Sequence, residues 1–519
     1  MVRRAYVIAL ALIMALIGFV ISPAGAQTGR TFYIDYDSGS NSNPGTNASP
    51  WKTHPYMQAD PACTGTGSAA SYVHQAGDQF IFKGGVTWPA SCFGMAMVAG
   101  GSASVNDYYG VDKSWFSGSS WTRPIFDMAN AVPTGGGAFI TTARYVTIDN
   151  LELARLSITA YTAECANANI NATAGNVTVE NSYIHDWTIT PGFSSTSTAA
   201  STNHGMGSIC QSGAPGPVNA YNNVISDKNT TAAAHFGACF RNLTNVEGND
   251  CEYTAEGEVG HFGNTDNNIF ANMDGTTVEG LEGAHPNHTN VLHMSDTAAG
   301  DGPIFNNLIH DNQSGVDIFT CAATDVYNNV IYNNRNAQIM YSTSTNDCPG
   351  VNTSTVGNVY NNTVDCSNGW YCFRSVQRTS GNVASIFNIR NNVFITNGTD
   401  LCINNTGGGC ANISAGSAVD HNYKMSTSEA STYGFTGTTK YAPTSSDSHV
   451  TSAGANMSGA CSAQLADLCE DVQGTAWYGG SYQTRPLDTT AWTIGAYVFG
   501  GQSQASKPNP PTNLTASVQ

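Results

Sequence analysis

Seven of the chain's 12 histidines fall between His204 and His310: His204, His235, His261, His285, His288, His293 and His310. The same window holds Glu252, Glu256, Glu258, Asp266, Asp274, Glu279, Glu282, Asp296 and Asp301. Its densest piece reads Glu279-Gly-Leu-Glu282-Gly-Ala-His285-Pro-Asn-His288-Thr-Asn-Val-Leu-His293. Three chemistries suit these residue types. A carboxylate and a histidine can trade a proton beside a glycosidic bond, and two carboxylates about 5–10 Å apart can hydrolyse one. A histidine can also take the C5 proton of a uronate if a cation steadies the developing charge. His285 or His288 would then be the base, with Arg241 as charge partner. The third chemistry is metal binding by His285-x-x-His288 with Glu282. Glu282, His285 and His288 are therefore the catalytic candidates, joined by Asp301, Asp317 and Arg241. The plainer assignment is that such residues solvate turns and satisfy buried loops.

Two further patterns could bind ligands. Asp35-Tyr-Asp37-Ser-Gly39-Ser-Asn41-Ser-Asn43 places oxygen ligands at alternate positions around a glycine. Asp35, Asp37 and Asn41 would be the calcium ligands, although the closing bidentate glutamate of a calcium loop is missing and a polar turn explains the pattern as well. Trp370-Tyr371, between Cys366 and Cys372, could stack on a sugar face or simply pack.

These residues need a scaffold, and the sequence announces one by repetition. An Asn-Asn pair followed by two mostly apolar residues recurs. It appears as Tyr221-Asn222-Asn223-Val224-Ile225, Asn267-Asn268-Ile269-Phe270, Phe305-Asn306-Asn307-Leu308-Ile309, Tyr327-Asn328-Asn329-Val330-Ile331, Tyr360-Asn361-Asn362-Thr363-Val364 and Asn391-Asn392-Val393-Phe394. Looser copies stand at Asp149-Asn150, Glu180-Asn181 and His421-Asn422. A fixed phrase returning every 20–45 residues or so marks stacked repeats. Alternation of apolar and polar residues in Tyr145–Leu153 and Asn176–Ile184 fits half-buried strands. The expected fold is all-β, a parallel β-helix of about ten rungs and about 50 Å. Asn223, Asn307, Asn329, Asn362 and Asn392 should stack into an internal ladder. Phrase spacings of 45, 39, 22, 33 and 30 residues exceed one rung in places, so long loops are expected at 226–266 and 271–303.

Both ends of the repeat region resemble a known family. The run Thr31-Phe-Tyr-Ile-Asp-Tyr-Asp-Ser-Gly-Ser-Asn-Ser-Asn-Pro-Gly-Thr-Asn-Ala-Ser-Pro-Trp-Lys-Thr53 resembles the opening of exported bacterial right-handed parallel β-helix proteins of the pectate-lyase-like superfamily. Gly77-Asp-Gln-Phe-Ile-Phe-Lys-Gly-Gly-Val86 is similar to that family's first rung, and Trp492-Thr493-Ile-Gly-Ala-Tyr497 to its Trp-Asp-Ile-Gly-Ala-Tyr ending. The resemblance implies a right-handed coil over roughly residues 31–500 and an extracellular polysaccharide as partner. It does not carry a mechanism across. Calcium-dependent lyases of the group use clustered Asp with a Lys base, but only Lys228 lies between 114 and 423. The Asn-Thr-Asp, Asp-Asp and Arg-Ile-Lys phrases of the polygalacturonase type are absent.

Composition sets the remaining bounds. Arg3 and Arg4, the apolar run Tyr6–Ile21 and Ala24-Gly25-Ala26 read as a secretory leader over 1–26, cleaved before Gln27. The protein is thus expected outside the cell, secreted or at its surface, or in a periplasm. The 14 cysteines all follow the leader, and neighbour pairing is expected: Cys63–Cys92, Cys165–Cys210, Cys239–Cys251, Cys321–Cys348, Cys366–Cys372, Cys402–Cys410 and Cys461–Cys469. A net charge of −18 disfavours nucleic acid and anionic membranes. Without the leader, 17 Lys and Arg face 37 Asp and Glu, a net of −20. Binding a polyanionic glycan would then call for calcium bridging. Residues 27–500 form the β-helix domain, expected to be monomeric, and 501–519 a Pro-rich tail. The leading function is a polysaccharide lyase or glycoside hydrolase. The rival is a non-catalytic glycan-binding, adhesive or structural solenoid.

Overall fold

The structure is a computed structural model. It describes residues 29–499 apart from 58–62, 64–68, 133–136, 159–164, 166–167, 190–206, 213–215, 229–236, 262, 275–289, 295–301, 314, 337, 347, 370, 377–381, 404–409, 445–448, 462–464 and 489.

The repeated phrase is a corner. Its first residue takes the left-handed backbone conformation at Asn150, Asn181, Asn222, Asn267, Asn306, Asn328, Asn361, Asn391 and His421, with φ between 53° and 63°. Asn reaches that region more easily than most residues. The turn ends one short strand and starts the next in a second sheet. Val218–Tyr221, for example, passes through Asn222-Asn223 into Val224–Ser226, and the chain then enters a third sheet at Ala238–Leu243. Repetition of this path gives three parallel sheets of 13, 12 and 11 strands. Parallel crossovers of this kind wind right-handed. The fold is therefore a right-handed parallel β-helix.

The second Asn of each phrase points inward. Nδ2 of Asn223 donates to Oδ1 of Asn249 at 3.0 Å, and the chain continues through Asn268, Asn307, Asn329, Asn362 and Asn392 to Asn422 at 2.8–3.0 Å. Each Oδ1 also accepts the backbone N–H of the preceding ladder residue, as Asn329 does from Asn307 at 3.1 Å. Each Nδ2 also donates to a carbonyl, as Asn329 does to Ile304. The ladder is thus longer than the five asparagines expected.

Between the corners the lumen is apolar. Inward columns run Ile184–Ile225–Cys251–Phe270–Ile309–Ile331–Val364–Phe394 in the second sheet and Ile209–Phe240 then Leu292–Ile318–Ile339–Phe373 in the third. Glu258 interrupts the third-sheet column. It is fully buried, and Thr265 Oγ1 donates to its Oε2 at 2.7 Å. All seven expected disulfides are present, with Cα–Cα separations from 5.1 to 6.1 Å. Such bridges fit an oxidising compartment.

Two expectations are corrected. The sheets hold more than ten rungs, and residues 226–266 are not one long loop. A complete extra coil lies there: Ala238–Leu243, Asn245–Glu247, Asp250–Glu252 and Glu256–His261. Its corner reads Gly248-Asn249, so the Asn-Asn phrase is hidden. Gly248 has φ +69°, and a Cβ there would lie 2.5 Å from Asn222 Oδ1, which explains the glycine.

The coils end at Tyr423–Met425, and the helix Thr427–Tyr433 follows, capped by a Ser426–Glu429 box. The chain then folds back along the corner between the first and second sheets. Trp477 Nε1 donates to Asn306 O at 2.8 Å, and Asn391 Nδ2 to Ala455 O at 2.8 Å. Arg485, 1% exposed, donates to Thr493 O, Gly495 O and Asn328 Oδ1 at 3.0–3.2 Å. Trp492 of the closing motif packs with Phe305, Tyr327 and Tyr360. Among the described residues no helix is long and apolar enough to cross a membrane.

The ladder is testable. Asn329→Asp keeps the acceptor but loses the donors to Asn362 and Ile304 and adds a buried charge. It is expected to lower stability by about 3 kcal/mol or more in denaturant unfolding. Asn222→Gly, which keeps the left-handed turn, should cost less than about 1 kcal/mol.

Candidate functional site

The outer face of the third sheet gathers the reactive side chains nearest the histidine-rich window. One outward column runs in register Arg241–Val259–His293–Phe319–Met340–Arg374. His293 arrives here because Leu292, its neighbour on the two-residue strand Leu292–His293, faces the core. Its ring meets Phe319 edge-on with centroids 5.4 Å apart. Val316, Phe319, Val376 and Met340 form a small apolar patch beside it.

Glu256 and Asn290 hold the histidine. His293 Nδ1 lies 3.9 Å from Glu256 Oε1 and 3.5 Å from Asn290 Nδ2. Asn290 is itself fixed: its backbone N–H donates to Glu256 Oε1 at 3.2 Å, and its Oδ1 accepts from Val316 N at 3.0 Å. If Asn290 donates into Nδ1, the neutral ring carries its proton on Nε2. A proton on Nδ1 would face the Glu256 carboxylate instead. In that second state the Glu256 carboxylate, 3.9 Å away, faces an imidazole able to take or give a proton at Nε2. Burial lowers the pKa of Arg374, partly countered by Tyr371.

Of the sequence candidates, Arg241 joins this column. Glu282, His285, His288, Asp301 and Trp370 lie outside the described residues. Tyr371 is half-buried, next to Cys372 of its disulfide. Asp317 does not join the outer face. It is 1% exposed within the wall, where Oδ2 accepts from Gln338 N at 3.2 Å. Burial raises its pKa well above the carboxylate range, against hydrogen bonds from Asn334 and Gln338. The sequence window contained Glu256 and His293, but their pairing was hidden, because it depends on stacking two coils. The signal within reach was a histidine standing directly after the apolar pair Val291-Leu292.

The residues considered for calcium are committed to a turn. Asp35 accepts from Lys83 Nζ at 2.6 Å and from Ser38 Oγ at 2.5 Å. Asn41 Oδ1 accepts from Lys52 N and Thr53 N at 3.0 Å each, and Asp37 is exposed. As a cation cage the three do not fit. Among the described residues no group of three His, Cys, Asp or Glu is placed to hold a metal.

No protein-family model matches the chain, and no curated protein matches it. Solved structures do. A rhamnogalacturonan lyase shares 14% identity at TM-score 0.38 over 74% of this chain and 87% of its own. Pectate lyase Pel9A shares 14% at 0.42 over 92% and 98%. The GH136 lacto-N-biosidase from Eubacterium ramulus shares 12% at 0.45 over 77% and 67%. These likenesses concern the coil alone, which the three sheets establish by themselves.

Asp317 yields a pH prediction. Its raised pKa means that the folded state keeps a proton the unfolded chain releases near 3.8. Stability from this group is therefore full below that value and is lost as pH rises above it. Asp317→Asn is expected to stabilise by about 1–3 kcal/mol at neutral pH and by nothing below about pH 4, read as thermal midpoints across pH.

Proposed function

We propose that this protein acts on an extracellular polysaccharide along the outer face of the third sheet, and that the polymer carries uronates. The observation that carries the reading is the His293–Glu256 pair in a column with an arginine at each end. Arg241 and Arg374 stand five strand spacings apart, about 24 Å, with His293 between them. In a chain of net charge −18, that column is suited to carboxylates. His293 would remove the C5 proton, the electron pair would form the C4–C5 double bond, and the C4–O bond would break. The leaving oxygen would take up a proton from water, and His293 would later return the C5 proton to solvent. Arg241 would neutralise the uronate carboxylate as charge builds on it. The carboxylate beside the imidazole could alternatively serve hydrolysis.

One observation favours a second reading. His293 is 4% exposed and Arg241 8%. A non-catalytic glycan-binding solenoid would bury them in this way as wall residues.

The experiment is a screen of the purified protein on uronate-bearing and neutral polysaccharides, following ultraviolet absorbance and reducing ends together. It is run with calcium and with chelator, because an ion bridging two acidic surfaces needs no built cage. A rise in both signals is expected, and His293→Ala should then lower turnover by about 100-fold or more. Reducing ends without absorbance would mean hydrolysis. Silence with retained glycan binding would leave the non-catalytic reading.

A further inference from the structure

The strand Thr31–Ile34 stands at the end of the 13-stranded sheet, and one of its edges pairs with Gln79–Phe82. A strap, residues 43–57, lies along the other edge. Gly45 O accepts from Tyr33 N at 2.8 Å, Trp51 O accepts from Asp35 N at 2.8 Å, and Trp51 N donates to Tyr33 O at 2.9 Å. The Trp51 ring stacks on Phe32 with centroids 4.4 Å apart. A bare edge would offer these backbone groups to any passing strand, so the strap is what closes the sheet.

Three residues beyond Trp51 the strap turns a histidine into the lumen. His54 is fully buried. Four rings surround it, with centroids at 4.2 Å for Phe80, 5.0 Å for Tyr56, 5.3 Å for Tyr109 and 6.4 Å for Phe82. Its Nδ1 accepts the backbone N–H of Tyr56 at 2.9 Å, so the neutral ring carries its proton on Nε2. Nε2 itself has no hydrogen-bond partner among the described residues. A second proton would have to enter at Nδ1, facing the Tyr56 N–H, and its charge would sit among aromatic rings. Burial accordingly pushes the His54 pKa down to about 3. The charged groups on the neighbouring strands are committed elsewhere. Asp78, ahead of Phe80, accepts from Arg30, Tyr72 and Gln75 N. Asp107, ahead of Tyr109, holds His74 at 2.6 Å and Gly77 N at 2.8 Å. Lys83, after Phe82, pairs with Asp35 at 2.6 Å, and Lys52 of the strap donates to Tyr36 O at 2.7 Å.

We propose that His54 is an acid-sensitive latch: to take up a proton the ring must leave the lumen, which frees the strap and uncovers the edge of the terminal strand. The open strap binds a proton that the closed one refuses. The latch is therefore fully closed above the ordinary histidine value of 6.5, and the closed form loses ground as pH falls from there toward about 3. The surrounding acids act in another range or with the other sign. Against burial, Lys83 holds Asp35 and Arg30 holds Asp78 below 3.8, so their contribution is lost only as pH falls below that value. Asp107, raised by burial against His74 and Gly77, favours the closed form in acid.

The test is hydrogen–deuterium exchange of the full chain between about pH 6 and about pH 4.5, corrected for intrinsic amide exchange and read as protection factors. Protection of residues 43–57, and of the Tyr33 and Asp35 amides, is expected to fall about tenfold per pH unit, while that of the coil holding Asn329 does not fall. His54→Asn keeps an acceptor for the Tyr56 N–H, and His54→Phe keeps a ring in the lumen. Neither side chain titrates, so strap protection in both should be independent of pH, whatever its level. Strap protection that ignores pH in the parent, an equal fall at Asn329, or the parent's slope retained in either folded variant would each overturn the proposal.

Discussion

From Asn222 to Asn422 the coils of this protein must turn sharply within two residues and keep the inward amide at each turn hydrogen-bonded. The Asn-Asn corner answers both demands at once. Its first residue accepts a backbone conformation that most side chains resist. Its second spends two donors and one acceptor inside the wall, bonding the coil on either side. Parallel stacking in register follows, because a slipped coil would strand an amide in an apolar lumen. Each outward column, including the reactive ones, inherits its alignment from that ladder.

The corner was legible because it is chemically specific. So were the disulfides, since sequence neighbours in a solenoid are spatial neighbours. Legibility failed where another residue did the same job. Gly248 turns as the asparagines do, so in the sequence a whole coil reads as a loop. Asp317 sits one residue before an inward isoleucine, and nothing in its local sequence says that it faces the wall interior. His293 was visible as a histidine, but its partnership with Glu256 crosses 37 residues and exists only after two coils stack.

Charge is distributed with the same economy. Few cations serve many carboxylates, and among the described residues several arginines answer a particular acid: Arg30 pairs with Asp78, Arg155 with Asp127 and Arg390 with Asp420. Carboxylates left inside the walls are held toward their neutral form by burial, as Asp227, Asp250 and Asp317 are. The two outer faces therefore differ in sign. The third sheet offers arginines around a histidine, and the second offers acids beside an aromatic stack.

The returning segment after the helix changes how the rod comes apart. A plain solenoid is a one-dimensional array in which each coil feels only its neighbours, so its end can fray one coil at a time. Here Trp477 grips the coil of Asn306, Arg485 that of Asn328 and Ala455 that of Asn391. Coils that never touch are thereby tied to one clasp. Peeling the last coil means lifting the clasp from several others together, which turns gradual unzipping into a concerted event.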